Sequence, residues 1–192
     1  SYGGRKIPAF EMVKFSINIM RGCFGGCTFC AITEHQGKRV QSRSEASVLR
    51  EVEALGRIPG YTGVLTDLGG PTANMYRMQC SKPEAEKACR RPSCVHPSVC
   101  TLLTTDHEPI KGLMHKIREA KGVKKVLIAS GVRMDLAVLD PGYIDELAAH
   151  HVGGHLKVAP EHVDEDTLRL MKKPGVDIYL RFAARFEQAS RK

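Results

Sequence analysis

The 192-residue sequence predicts an α/β fold: a parallel sheet of about four strand-helix units, with a cysteine-rich insertion over residues 72–106. Three observations predict it. Short apolar runs alternate with longer stretches whose apolar residues recur every three or four positions. Each short run ends in a glycine or proline corner, where such sheets present their ligand-facing loops. One stretch, 72–106, breaks the alternation and holds four of the seven cysteines.

The first strand is read from Val13, Phe15, Ile17 and Ile19, which alternate with Lys14, Ser16, Asn18 and Met20 to give one apolar and one more polar face. Ser42-Arg43-Ser44-Glu45 has the form of a capping box. Val48, Leu49, Val52 and Leu55 share one face of the helix behind it, which ends near Pro59-Gly60. Gly63 to Thr66 is a second strand, and Asp67 to Pro71 its glycine-rich turn. Beyond residue 106, Ile110, Leu113, Met114 and Ile117 mark a helix, and Val126 to Ala129 a third strand closed by Ser130-Gly131. Asp140-Pro141 opens the next helix, with Ile144, Leu147 and Ala148 on it. Leu156 and Val158 mark a fourth strand that runs into Ala159-Pro160-Glu161-His162. Asp164 starts a helix bearing Leu168 and Met171, broken by Pro174-Gly175. A last helix from Asp177 aligns Tyr179, Phe182 and Phe186, a stripe read as core packing.

In sheets of this kind reactive residues gather at the carboxyl ends of the strands. Those ends are the loop at Cys23, the Gly69-Gly70 turn, Ser130-Gly131 and Pro160-Glu161-His162.

The net charge of +8 suits an anionic partner such as nucleic acid, with Lys172, Lys173, Arg181 and Arg185 near the end of the chain. Solvated helix faces account for such charges just as simply. No apolar run approaches the roughly 20 residues of a membrane span, and no basic-then-apolar leader opens the chain, so a cytoplasmic protein without a membrane partner is expected. The start at Ser1 is read as that of a processed or excised segment. Seven cysteines, an odd number in two clusters, read as reduced thiolates on metal rather than disulfides.

Cys23, Cys27 and Cys30 follow the first strand directly. Three thiolates can hold three irons of a 4Fe-4S cubane and leave the fourth open to an outside ligand. The same three with His35 can instead make a structural zinc site. Cys80, Cys89, Cys94 and Cys100 form a second set, with His96 and His107 as spare donors; it reads as a second metal centre, iron-sulfur or zinc, or as four free cysteines. Glu34-His35 is either an acid-base pair or a solvated turn, and His150-His151 reads as a helix end complementing the dipole.

The pattern Cys23-x-x-x-Cys27-x-Phe29-Cys30 behind a first strand resembles the signature of radical S-adenosylmethionine (SAM) enzymes. More narrowly, the stretches Asn18 to His35, Asp67 to Tyr76 and Lys157 to His162 resemble the YgiQ group of radical SAM proteins. The resemblance implies a 4Fe-4S cluster on Cys23, Cys27 and Cys30, with the methionyl amine and carboxylate of SAM on the open iron. Cleavage of SAM would give methionine and a 5′-deoxyadenosyl radical that abstracts hydrogen from an unidentified substrate. It further implies that Phe29 flanks the adenine and that the Gly69-Gly70 backbone meets the methionyl amine. Pro71 stands where many members carry an acidic residue. Ser130, Arg133, Lys157 and Glu161 are assigned to SAM by position, Arg133 or Lys157 to its carboxylate or ribose and Glu161 to its ribose hydroxyls. An electron donor such as a flavodoxin-type protein is implied as a partner. Because radical SAM domains are partial TIM-like barrels with more strand-helix units than these, residues 1–192 are expected to be a partial domain with the insertion inside it.

Two other functions fit the same residues. One is radical modification of transfer RNA or another nucleic acid, motivated by the basic charge; the other is a zinc-stabilised nucleic-acid-binding module without catalysis. Metal content separates the zinc module from the two radical enzymes, and salt-dependent RNA binding separates those two.

Overall fold

The computed structural model describes residues 5–191, so Ser1 and Lys192, the ends of the expected domain, lie outside the described residues. It is a mixed α/β fold with short parallel sheets. Strand β1 (Ser16–Asn18) pairs in parallel with β5 (Asp67–Gly69), setting Ile17 opposite Leu68 and Asn18 opposite Gly69. Strand β4 (Val64–Leu65) pairs in parallel with β6 (Lys125–Val126). Only Thr66 separates β4 from β5. Its amide donates to Phe15 O (3.0 Å) on one side, whereas the Leu68 amide donates to Leu127 O (2.8 Å) on the other. The 64–69 segment is therefore bonded along both edges, and its Leu65 and Leu68 are fully buried. A small antiparallel pair, β2 (Met20–Arg21) with β3 (Gln41–Ser42), closes the ends of the cysteine loop.

The helices lie where their apolar periods place them. Helix α3 (Glu45–Leu55) buries Val48, Val52 and Leu55; α5 (Glu108–Arg118) buries Ile110, Leu113, Met114 and Ile117; α7 (Pro141–His150) buries Ile144 and Leu147. Burying each such side chain contributes about 1.5–3 kcal/mol, which fixes these faces against the strands. Asp140 and Asp164 cap α7 and α8 (Glu165–Met171) by accepting the amides of Tyr143 and Thr167. Helix α9 (Val176–Ser190) packs on α7 and on the short α6 (Met134–Ala137), with Phe182 buried and stacked on Phe186.

Several local details differ from the sequence reading. Pro8–Val13 is a helix, α1, with proline in its first turn, so the first strand begins at Ser16 and Val13 is exposed. Met20 faces the core, because it lies beneath Gly70, where a Cβ would touch its Cγ at 2.9 Å. The α3 cap is Ser44, not a Ser42 box: Ser44 Oγ accepts from Ser47 N, while Ser42 Oγ accepts from Arg77 N (2.7 Å). Helix α3 stops at Leu55, before Pro59-Gly60. Among the described residues the fourth strand is present only as a parallel bridge between Val132 and Val158, and Ile128 N donates to His151 O (3.0 Å) beside it. Two further short helices, α2 (Ile32–Gln36) and α4 (Pro83–Ala88), lie in stretches with no clear period. Among the described residues no helix is long and apolar enough to cross a membrane.

Candidate cofactor site

The loop at 22–31 leaves β2 and is shaped by three glycines. Gly22 (φ +86°) and Gly26 (φ +64°) adopt left-handed backbone conformations, and a Cβ on them would collide with Arg39 O and Pro92 O. Gly25 lies against the metal-ligating candidates themselves: its amide donates to Cys23 Sγ (3.4 Å), and a Cβ there would meet Arg133 Nη1 at 2.7 Å. Cys23 N donates to Gly37 O (3.0 Å), Cys30 N to Cys27 O (3.1 Å) and Thr33 Oγ1 to Cys23 O (3.0 Å). The far end of the chain supports the same loop. Thr28 donates to the last carbonyls of α8, from its amide to Met171 O (3.2 Å) and from Oγ1 to Leu170 O (3.0 Å).

Cys23, Cys27 and Cys30 are all free and partly buried. Burial pushes the Cys23 thiol above its ordinary value; the Gly25 amide and the Arg133 guanidinium act in the opposite direction. Arg133 Nη1 lies 3.9 Å from Cys27 Sγ, and its other guanidinium nitrogens bind Asp135 at 2.9–3.1 Å. This ion pair is almost wholly buried, and its cation is turned toward the thiols. An aligned cation and an amide N–H at the sulfurs suit an anionic cluster, whose potential such hydrogen bonds tune. Three free thiols on one loop match the number a 4Fe-4S cubane takes when its fourth iron stays open. Among the described residues no group of three or more Cys, His, Asp or Glu side chains is placed to hold a metal ion.

The ends of β5 and β6 come together beside this loop. Gly69 is packed so closely that a Cβ would collide with Ser130 Oγ and the Asp67 carboxylate. Gly70 N reaches Ser130 Oγ at 3.4 Å, and Asp67 Oδ1 accepts the amides of Ala129 (2.7 Å) and Ser130 (3.0 Å). Asn74 locks the next residues: its Oδ1 accepts from Arg133 N (2.8 Å) and its Nδ2 donates to Arg133 O (2.9 Å). Most of the remaining predicted residues sit on the outside. Phe29 is 54% exposed, Lys157 is exposed, and Glu161 (φ +70°) is exposed with its carboxylate 3.8 Å from Lys173 Nζ. Glu34 and His35 lie exposed on α2, and His151 is buried with Nδ1 2.8 Å from Val126 O. Asp67, Asn74 and Asp135, which organise the rim, were not singled out by pattern. For Asn74 and Asp135 the sequence signal is a polar residue flanked by apolar ones, which gains meaning once burial demands a partner.

A sequence profile of the radical SAM superfamily matches residues 17–192. The chain belongs to the radical SAM superfamily. Membership implies an enzyme whose radical chemistry depends on SAM and a 4Fe-4S cluster. The radical SAM chain is similar to the UPF0313 protein YgiQ of Salmonella typhimurium, at 59% identity over 192 residues, all of this chain and 27% of that protein. A UPF0313 protein of Bradyrhizobium diazoefficiens is 59% identical over 191 residues, 99% of this chain and 28% of its own length. The UPF0313 protein YgiQ of Escherichia coli is 58% identical over 192 residues, covering 26% of that protein. The chain therefore spans about a quarter of the length of the curated relatives it matches.

Proposed function

We propose that this chain is the cofactor-binding part of a radical SAM enzyme, with Cys23, Cys27 and Cys30 holding a 4Fe-4S cluster whose open iron takes SAM. The observation that carries the reading is the loop itself: three free thiols beside the Gly25 amide and the buried Arg133-Asp135 pair. When bound, the reduced cluster and SAM supply a 5′-deoxyadenosyl radical for hydrogen abstraction from an unidentified substrate. The chain's own residues hold and shield. Arg133 offsets thiolate charge, Asp135 and Asn74 fix Arg133, and the Gly69-Gly70 backbone, held against Ser130 and Met20, would meet the methionyl amine of SAM. Pro71 places recognition of that amine on backbone carbonyls.

Anaerobic reconstitution with iron and sulfide tests this. The protein is expected to turn brown, to cleave SAM when reduced, and to show a reduced-cluster resonance that SAM perturbs. Cys27→Ala should abolish cleavage while the circular dichroism of the fold is kept. About one zinc per chain with no iron uptake would overturn the reading.

A further inference from the structure

The four cysteines outside the loop, Cys80, Cys89, Cys94 and Cys100, all line one cavity of about 360 Å³. They arrive there from separate pieces of chain. Cys80 is bridged to Leu103, Cys89 caps the end of α4, and Cys94 and Cys100 close a loop through Cys100 N donating to Cys94 O (2.8 Å). None is in a disulfide. That loop has neither helix nor strand, and side chains hold it in shape. Ser93 Oγ accepts the amides of Val95 (3.1 Å) and His96 (3.0 Å), and Arg91 donates to the carbonyls of Ser93, His96 and Ser98 at 3.1–3.4 Å.

The lining has the chemistry of an anionic metal-sulfur group. Lys38 Nζ lies 3.8 Å from Cys89 Sγ, and Arg39 and Arg91 line the same wall, whose one carboxylate, Glu86, is paired with Arg39 at 3.0 Å. These cations would offset the negative charge of such a group. Phe24, Met78 and Leu103 supply a dry, buried side. A lone zinc needs four donors about 2.0–2.3 Å from one point. The four cysteines border one volume, and a cubane takes one thiolate per iron at its periphery.

We infer that Cys80, Cys89, Cys94 and Cys100 hold a second iron-sulfur cluster, a four-thiolate one closed to outside ligands. It abuts the first site. Phe24, between Cys23 and Cys27 in the chain, lines the second cavity, Cys94 N donates to Phe24 O (2.9 Å), and Pro92 O packs on Gly26. With all four irons on cysteine the second cluster has no position for SAM, so the two centres differ in their response to it.

The test uses the full chain reconstituted without oxygen, as wild type and as the triple variant Cys23→Ala, Cys27→Ala, Cys30→Ala. The triple variant is expected to retain about four irons and four sulfides per chain, with a reduced-state resonance that SAM leaves unchanged. Adding Cys94→Ser and Cys100→Ser to it should remove that iron. A triple variant that holds about one zinc without sulfide, or that folds and takes up no metal, overturns the inference. If the triple variant does not fold, wild type decides: about eight irons with one SAM-sensitive and one SAM-insensitive resonance support the second cluster, and about four irons, all SAM-sensitive, overturn it. About four irons in wild type with no SAM effect would instead sink the reading of the Cys23 loop and leave this one standing.

Discussion

At the scale of single residues, the site depends on buried polar groups that satisfy one another. Asn74 uses both ends of its amide on the Arg133 backbone, and its Nδ2 also faces His107 Nε2 at 3.4 Å. An amide donor facing Nε2 assigns that nitrogen as the acceptor of a neutral ring, since a second proton there would confront the Asn74 amide. Burial holds the His107 pKa below its ordinary 6.5; Asp140 opposes and Lys111 adds to the lowering. The unfolded chain therefore takes up this proton at higher pH than the folded one. The His107 contribution is complete above about pH 6.5 and is lost as pH falls from there through the folded value. Urea midpoints should drop as pH falls below about 6.5, and His107→Gln should show a shallower drop. Equal drops in both proteins would show that His107 is not the titrating group. Arg133 illustrates how far pattern reaches: its place after the third strand pointed to the site, but its partner Asp135 and its approach to Cys27 come from packing.

At the scale of elements, glycine marks where the backbone of one strand touches the next. Gly69 ends β5 with Ser130 Oγ and the Asp67 carboxylate occupying the space its Cβ would need. Gly69→Ala should destabilise the chain by about 1–3 kcal/mol, the usual cost of overpacking. Adding Ser130→Gly should return part of that loss, read from denaturant midpoints as a double-mutant cycle. Additive losses would mean that the two residues do not meet. The helices were legible because their signals are local. Asp140 and Asp164 stand at caps, and the apolar positions of α3, α5 and α7 repeat within a few turns. The strands were less so: β1 and β4 to β6 are two or three residues long, too short for a period to fix their ends. Ser42 shows the same limit, since its hydroxyl serves Arg77, 35 positions away, and not the helix beside it.

For the whole molecule, α5 closes the core over the parallel pairs, and its Leu113 is fully buried. Leu113→Ala is expected to cost about 2–5 kcal/mol, a large share of the 5–15 kcal/mol typical of a domain. Leu180→Ala on the exposed side of α9 should stay within about 0.5 kcal/mol. Guanidinium titrations of the two variants check this, and equal losses would mean that α5 does not cover the core. The basic charge, by contrast, is dispersed: Lys116 pairs with Glu45, Arg118 with Glu146 and Arg185 with Asp145.

The sequence by itself determined the α/β class, the helix faces, the Asp140 and Asp164 caps, and the cysteine spacing that resembles radical SAM enzymes, since each is written within a window of a few turns. Tertiary structure decided the rest. It turned Arg133 toward Cys27 across 106 positions, set Asn74 on the Arg133 backbone across 59, and drew Cys80, Cys89, Cys94 and Cys100 around one cavity. The physical reason is that such contacts form only when remote segments close on a shared core, and no local period records which segments will meet.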